Sequence, residues 1–174
     1  DAKYVDLYED TMYNALLAVK SAKAEDFESL RYVVSGGEPL PERVAQGFFE
    51  RFGKRINEGY GLTETSPVTN WCLPEEFRPR SVGKPMPRLE QRIVGPDGRV
   101  LPPGQDGEVR FRGPNVMKGY YRLPELTASV FDEEGFFRTG DMGRVDETGA
   151  LSITGRIKEM LIIAGENVFP REIE

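Results

Sequence analysis

The chain has 174 residues, of which 39% are hydrophobic, and this length and composition suit one ordinary domain with a buried core. Its formal net charge of -6 argues against a nucleic-acid-binding protein, which would usually carry a basic surface. Histidine is absent, which excludes Ser-His-Asp and Cys-His catalysis and histidine-based metal sites, so any chemistry must use carboxylates, lysine, arginine and backbone donors.

Two further features bear on location. The single cysteine, Cys72, cannot form an internal disulfide, which favours a reducing compartment. No apolar run approaches the length of a membrane span, and the first residues, DAKYVDLYED, lack the order of a signal peptide. We therefore expect a cytoplasmic protein without a transmembrane segment, and peripheral contact with a membrane stays an open alternative.

The first half of the chain has the pattern of a βαβ unit. A helix is expected over 11–20, where apolar residues recur on one face. A β-branched run over 31–35 stops at two glycines, a helix over 41–52 carries Pro41 near its first turn, and a second strand covers 55–58. Strands connected in this way are expected to be parallel and joined right-handedly.

Two glycine-containing loops, Gly36-Gly37-Glu38-Pro39 and Gly59-Tyr60-Gly61, are predicted to leave the carboxyl ends of these strands, the edge where open α/β sheets commonly bind ligands. The glycines beside Tyr60 would allow a sharp turn or close approach to a ligand. Thr63 and Glu64 then offer a hydroxyl and an anionic oxygen, so the cluster could stack a planar ring, hold phosphate and bind a hard cation. The alternative is an ordinary glycine-rich turn.

In the second half of the chain, short strands alternate with turn signals. A twisted antiparallel sheet or small barrel is expected over 81–115, with an alternating strand at 108–112. A loop and a short helix are expected over 115–131, then two strands separated by a turn at Thr139-Gly140-Asp141, and a strand over 151–156. The predicted fold class is α/β, with the βαβ part of a parallel sheet followed by a small antiparallel β-sheet or barrel.

The end of the chain looks like the start of a small α+β domain. A strand is expected over 159–164, a turn at Gly165, and a helix that opens at Pro170 and stops after about one turn. A helix this short is not stable without a packing partner. The sequence therefore predicts a chain that ends just inside a second domain.

Charged residues near these last strands have a simple structural interpretation. Asp141 and Arg156 are expected near the ends of neighbouring strands, but an aspartate at a turn commonly bonds only its own backbone. Arg156 and Lys158 could equally be solvated charges at the start of a strand. The residue types alone therefore leave a structural and a functional role open.

Four motifs, taken together, closely resemble the ANL superfamily of adenylating enzymes: SGGEPL at 35–40, GYGLTE at 59–64, TGD at 139–141 and GRIKEMLIIAGENVFPREIE at 155–174. This superfamily contains acyl- and aryl-CoA synthetases, adenylation domains of nonribosomal peptide synthetases, and firefly luciferase. The order and spacing match across nearly the whole chain. The resemblance implies a two-step reaction, in which a carboxylic acid attacks the α-phosphate of ATP to give an acyl-adenylate and a thiol such as coenzyme A takes the acyl group.

The resemblance also implies roles for the two glycine-containing loops. The residues that match the family's adenine-binding loop are Gly37, Glu38 and Pro39, and Tyr60, next to Gly61, matches the aromatic residue that stacks on adenine. Thr63 matches a phosphate-binding threonine. Glu64 matches the Mg²⁺ ligand, and one carboxylate combined with phosphate oxygens suits that cation.

The later motifs imply further roles. Asp141 resembles the aspartate that accepts hydrogen bonds from both ribose hydroxyls, and Arg156 matches an arginine that reaches the ribose. Lys158 falls at the interdomain hinge, and Gly165 matches a glycine beside the pantetheine arm. The implied division is 1–157, the rear of the large adenylation domain, and 158–174, the hinge and the beginning of the small domain.

Parts of the family pattern have no counterpart in the chain. The upstream phosphate loop and the catalytic lysine near the end of the family's C-terminal domain are absent, so the fragment alone should not adenylate efficiently and should bind AMP weakly. Glu9-Asp10 stand where members usually carry a proline, which an insert or a junction would explain. Missing sheet neighbours would leave apolar surface exposed, so self-association is expected.

The resemblance gives only an analogy for the substrate. SVGKPMP at 81–87 and GPNVMKGYYRLPELT at 113–127 favour a medium- or long-chain fatty acid, with Pro67 and Val68 near the acyl group. An aryl-acid ligase and a peptide-synthetase adenylation domain are alternatives within the superfamily. The alternative from another class is a non-catalytic module that binds AMP or takes part in assembly without turnover.

Overall fold

The computed structural model describes residues 6–159, 161–163 and 166–168, with side chains described over 12–159. The helices are α1 (Asp6–Ala18), α2 (Glu42–Phe52) and α3 (Pro124–Ser129). The strands are β1 (Val34–Gly36), β2 (Asn57–Gly61), β3 (Val68–Trp71), β4 (Lys84–Pro85), β5 (Glu90–Val94), β6 (Gly107–Arg112), β7 (Phe137–Val145), β8 (Leu151–Arg156), β9 (Leu161–Ile163) and β10 (Glu166–Val168). None of the helices in these ranges is long and apolar enough to cross a membrane.

The first sheet contains the predicted βαβ unit. Its strand order is β1-β2-β3-β4, and β1 pairs with β2 in parallel, with Val34 opposite Asn57 and Gly36 opposite Gly59. Strands β3 and β4 continue the sheet in antiparallel order. The βαβ prediction is therefore confirmed, and the parallel pair is the first half of a mixed sheet.

Helix α2 forms because its apolar residues recur every four positions. Val44, Phe48 and Phe52 share one buried face, and Pro41 precedes the first turn, as predicted. Gly53 ends the helix in the left-handed region, with φ of 67°, which glycine adopts without strain. The buried face packs against Phe27 and other apolar side chains to form the core beneath the first sheet.

The second sheet is antiparallel and open. Its order is β5-β6-β7-β8, and the described strands form no closed barrel, so the sheet alternative of the prediction is the correct one. Strand β6 alternates as expected, with Val109 and Phe111 fully buried. Backbone bonds at Leu151 tie the two sheets together, since its N–H donates to Gly83 O at 2.9 Å and its carbonyl accepts from Val82 N at 2.9 Å.

Two segments that were predicted to be turns lie inside strands. Gly59-Tyr60-Gly61 lies inside β2, because pairing with β3 extends this strand beyond 58. Thr139-Gly140-Asp141 lies inside β7, where the pairing register with β6 shifts opposite Val109 and Gly140 adopts φ of 73°. The glycine thus forms a bulge in a continuous strand, where a turn between two strands was expected.

The remaining differences concern boundaries. The first strand covers Val34–Gly36, where 31–35 was expected, because only these residues pair with β2. The predicted strand over 159–164 is the shorter β9, which pairs with β10 in antiparallel order. Gly165 and the helix predicted to open at Pro170 lie outside the described residues.

Candidate functional site

Tyr60 connects the two sheets. It belongs to β2, but its ring lies 6.1 Å from the ring of Phe111 in β6 and packs against the core of the second sheet. Its hydroxyl donates a hydrogen bond to Oδ2 of Asp141. Burial raises the pKa of Tyr60, and the nearby Asp141 carboxylate raises it further, so the phenol stays protonated and can act as a donor.

Asp141 is a buried carboxylate held by the bulge of β7. Its exposed fraction is 3%, and its backbone N–H bonds to Thr139 Oγ1 at 3.0 Å, while that hydroxyl donates to Val109 O at 2.7 Å. The bulge therefore turns the carboxylate toward Tyr60. The structural alternative, an aspartate that bonds only its own backbone, does not describe this residue.

Arg156 supplies the opposing charge. Asp141 and Arg156 are paired across β7 and β8, and Arg156 Nε lies 3.1 Å from Asp141 Oδ1, with 64% of the arginine side chain exposed. Burial raises the pKa of Asp141, and the Tyr60 hydrogen bond and the Arg156 charge oppose that rise. Among the described residues, each carboxylate oxygen has one partner, so a second lone pair on each could accept a bond from a further hydroxyl donor.

The glycines beside Tyr60 are required by the protein's own packing. A Cβ on Gly61 would lie 1.7 Å from Pro67 O, and a Cβ on Gly59 would lie 2.8 Å from the Trp71 ring. A sharp turn or close approach of a ligand was the expected reason for these glycines. The structure gives a different one, the tight contact between β2 and the segment 67–71.

The loop after β1 lies beside Tyr60. Gly36 pairs with Gly59 in the parallel ladder, so the chain leaves β1 next to the point where Tyr60 lies in β2. Gly37 has φ of 95°, and no atom lies within 4 Å of where a Cβ would be. Glu38 and Pro39 are exposed. The two predicted loop motifs are therefore neighbours, although one of them is part of a strand.

Thr63 and Glu64 lie in a short 3-10 turn that follows β2, Thr63–Thr65. Thr63 is exposed, Glu64 is half-buried, and the buried Thr65 hydroxyl stabilises the turn by accepting from Leu62 N at 2.9 Å. Tyr120 donates to Glu64 Oε1 at 2.8 Å. Sequence reasoning did not single out Tyr120, although a Gly-Tyr-Tyr run at 119–121 marks an aromatic pair at the end of a loop.

A Mg²⁺ ion is consistent with this turn. The described residues contain no group of three or more acidic, cysteine or histidine side chains that could enclose a metal. Mg²⁺ is usually held by one or two carboxylates together with substrate phosphates and waters. A half-buried carboxylate with one oxygen, Oε1, bonded to Tyr120 fits that pattern, and Thr63 is its neighbour in the chain.

The other predicted residues lie farther along the chain or outside the described part. Lys158 is exposed in the turn Ile157–Glu159, directly after β8 and two positions beyond Arg156. Pro67 is exposed and Val68 half-buried at the start of β3. Gly165 lies outside the described residues. The structure thus brings together Tyr60, Asp141 and Arg156.

A family model described as AMP-binding enzyme matches residues 10–121, and the chain belongs to this family. The resemblance to the ANL superfamily is confirmed. The chain is 39% identical over 166 residues to a long-chain-fatty-acid–CoA ligase of Escherichia coli O6:H1, covering 95% of the chain and 29% of the ligase. It is 40% identical over 168 residues to a feruloyl-CoA synthase of Amycolatopsis, covering 94% of the chain and 33% of the synthase.

The chain is also similar in structure to a solved protein. The crystal structure of ATP-bound MatB from Rhodopseudomonas palustris matches with a TM-score of 0.87 and 36% identity, covering 99% of this chain and 36% of that protein. The chain therefore spans about a third of the proteins that it matches.

Proposed function

We propose that the whole protein is an AMP-forming acid-thiol ligase that activates a carboxylic acid with ATP and transfers the acyl group to coenzyme A. The observation that carries this proposal is the contact of Tyr60, Asp141 and Arg156, three residues assigned separately to one nucleotide. Because these three side chains are in contact, they could all bind the same nucleotide. An ordinary glycine-rich turn does not require a hydrogen bond to a buried aspartate 81 positions away in the chain.

In this proposal, the nucleoside binds between the loop after β1 and the bulge of β7. Gly37, Glu38 and Pro39 border the adenine, and Tyr60 offers its ring face to it. Asp141 accepts hydrogen bonds from the two ribose hydroxyls through its remaining lone pairs, and these bonds are strong because the acceptor is charged. The Tyr60 hydroxyl and Arg156 hold the carboxylate in place, and Arg156 is exposed enough to reach the ribose.

The phosphates would extend toward the turn that follows β2. Thr63 is exposed and can donate to a phosphate oxygen. Because Gly61 has no side chain, the end of β2 can lie close to Pro67, on the other side of this turn. Glu64 would hold Mg²⁺. A metal ion in that position supplies positive charge beside the phosphate oxygens when pyrophosphate leaves.

The thiol-transfer step involves residues near the end of the chain. Lys158 is the proposed hinge residue, at the boundary of 1–157 and 158–174, and a few backbone dihedrals there would carry the domain rotation. Gly165 is proposed to lie beside the pantetheine arm of coenzyme A. Both roles rest on the resemblance, whereas the proposed cytoplasmic location rests on the single cysteine, Cys72.

The proposed substrate is a medium- or long-chain fatty acid. The ligase from Escherichia coli supports it, and Pro67 and Val68 are proposed to line the acyl site. An aromatic acid is the second candidate, because the feruloyl-CoA synthase is as similar to this chain as the fatty-acid ligase. Self-association through exposed apolar surface stays a prediction, and Val34 in the edge strand β1 is one exposed apolar residue there.

Pyrophosphate exchange tests the proposal. The whole protein should exchange labelled pyrophosphate with ATP only when an acid is added, and a panel of fatty and aromatic acids should identify the substrate class. Glu64→Ala should lower the exchange rate at least a hundredfold, the loss expected when a metal ligand is removed from a charge-stabilising site, about 2.7 kcal/mol. Binding of AMP without exchange for any acid would support the non-catalytic alternative, and full exchange in Glu64→Ala would refute the metal role.

A further inference from the structure

A single segment, 113–120, holds the backbone of the turn that contains Glu64. Asn115 donates from Nδ2 to Thr65 O at 2.9 Å and to Val68 O at 3.0 Å, so one amide bridges both sides of the turn. Two residues later, the backbone N–H of Met117 donates to Glu64 O at 2.7 Å. The position of the Glu64 backbone is therefore fixed by a segment about 50 residues away in the chain.

Tyr120 completes this arrangement at the side chain. Its hydroxyl donates to Glu64 Oε1 at 2.8 Å. Its own backbone N–H donates to Thr127 Oγ1 at 2.9 Å, and that hydroxyl donates to the carbonyl of Leu123, the residue before α3, at 2.9 Å. Gly119 allows this approach, since a Cβ there would lie 2.4 Å from the Thr127 methyl carbon. The backbone of Tyr120 is thus held by Thr127, while its hydroxyl group contacts the Glu64 carboxylate.

Such an anchor has a chemical consequence. A glutamate side chain has several rotatable bonds, and fixing one of its oxygens orients the other. Groups that orient a metal-binding carboxylate commonly change metal affinity or activity by 10–100-fold when they are removed.

We propose that Tyr120 is a positioning residue that fixes Oε1 of Glu64 and leaves Oε2 directed toward the Mg²⁺ of the bound nucleotide. This inference rests on the proposed function, because it assumes that Glu64 binds the metal. It predicts that the phenolic oxygen of Tyr120 affects metal binding without touching the nucleotide itself.

The test compares Tyr120→Phe with Tyr121→Phe in the whole protein. Tyr121 is 82% exposed, and its ring contacts Arg122, so it is a matched control for the loss of one phenolic oxygen. Mn²⁺ serves as the probe, and binding of Mn²⁺-ATP to the protein is measured from the change of its electron paramagnetic resonance spectrum relative to Mn²⁺-ATP alone. Tyr120→Phe should weaken Mn²⁺ binding about tenfold, and Tyr121→Phe should leave it unchanged.

Two further variants separate this inference from the proposed function. In a Glu64→Gln background, Tyr120→Phe should cause no additional loss of Mn²⁺ binding, because the oriented carboxylate is already gone. Unchanged Mn²⁺ binding in Tyr120→Phe, together with lost binding in Glu64→Ala, would overturn the positioning role and leave the metal role intact. Unchanged binding in Glu64→Ala would overturn both.

Discussion

Two carboxylates of the candidate site, Asp141 and Glu64, each accept a hydrogen bond from a tyrosine, but their surroundings differ. Asp141 is almost completely buried, its second oxygen pairs with Arg156, and burial raises its pKa. Glu64 is half-buried in a short turn, with Tyr120 as its partner. The enclosed carboxylate suits neutral hydroxyl groups, whereas the one nearer water suits a cation that keeps part of its hydration.

Gly61 directly follows Tyr60, the partner of Asp141, and lies three residues before Glu64, so a change at Gly61 should have the largest effect on both carboxylates. In Gly61→Ala, the new methyl group would meet Pro67 O, which forces β2 away from the following segment. We expect the free energy of unfolding to fall by about 3 kcal/mol, near the upper end of what overpacking costs. Urea unfolding followed by circular dichroism measures this change.

The matched control is a glycine with ordinary space around it. Gly47 lies in α2, and a Cβ there would make a normal 3.5 Å contact with Leu17. Gly47→Ala should therefore leave stability unchanged or raise it by up to about 1 kcal/mol, because alanine favours the helix. Equal stability of the two variants would show that the contact between β2 and Pro67 is not as tight as described.

A smaller effect should appear as a dependence of stability on pH. Because burial raises the pKa of Asp141 above its ordinary value of 3.8, the folded state binds this proton more tightly than the unfolded state. The resulting contribution to stability is present at pH values below 3.8 and is lost as the pH rises through the folded-state pKa. Asp141→Asn cannot titrate, so the stability of the parent relative to this variant should fall as the pH rises from 3.5 to 7.

Chemical denaturation at several pH values measures the difference between parent and variant. Asp106→Asn is the control, because this aspartate is exposed on the surface and only its weak pair with Arg144 is lost. A stability difference between parent and Asp141→Asn that grows in favour of the parent with rising pH would contradict the sign. That result would mean that the Tyr60 bond and the Arg156 charge outweigh burial.

The sequence predicted those parts of the fold that depend on local patterns. The four-residue spacing of apolar residues in α2 and the β-branched strand before Gly36 were sufficient to predict the parallel pair. The bulge at Thr139-Gly140-Asp141 was predicted as a turn, because a glycine with positive φ has the same local signal in both structures. Only the pairing of β7 with β6 on both sides of the bulge distinguishes them.

The site was predictable to a similar degree. Its individual residues were found from motifs, but their contacts depend on long-range packing that no spacing in the sequence encodes. Tyr120 and Glu64 are 56 positions apart, and the phenol was not distinguished from its exposed neighbour Tyr121 until the fold placed it. The reason for the glycines beside Tyr60 was likewise visible only once β3 was in place.

The most direct test of the account is a calorimetric titration of AMP into the chain and into Asp141→Ala. If the buried carboxylate binds the ribose, the variant should bind AMP at least tenfold more weakly, since charged hydrogen bonds to two hydroxyl groups are worth about 1.5 kcal/mol or more each. Asp106→Ala should bind AMP as the parent does. Equal affinity of Asp141→Ala and the parent would contradict the assignment of Tyr60, Asp141 and Arg156 to a nucleotide site.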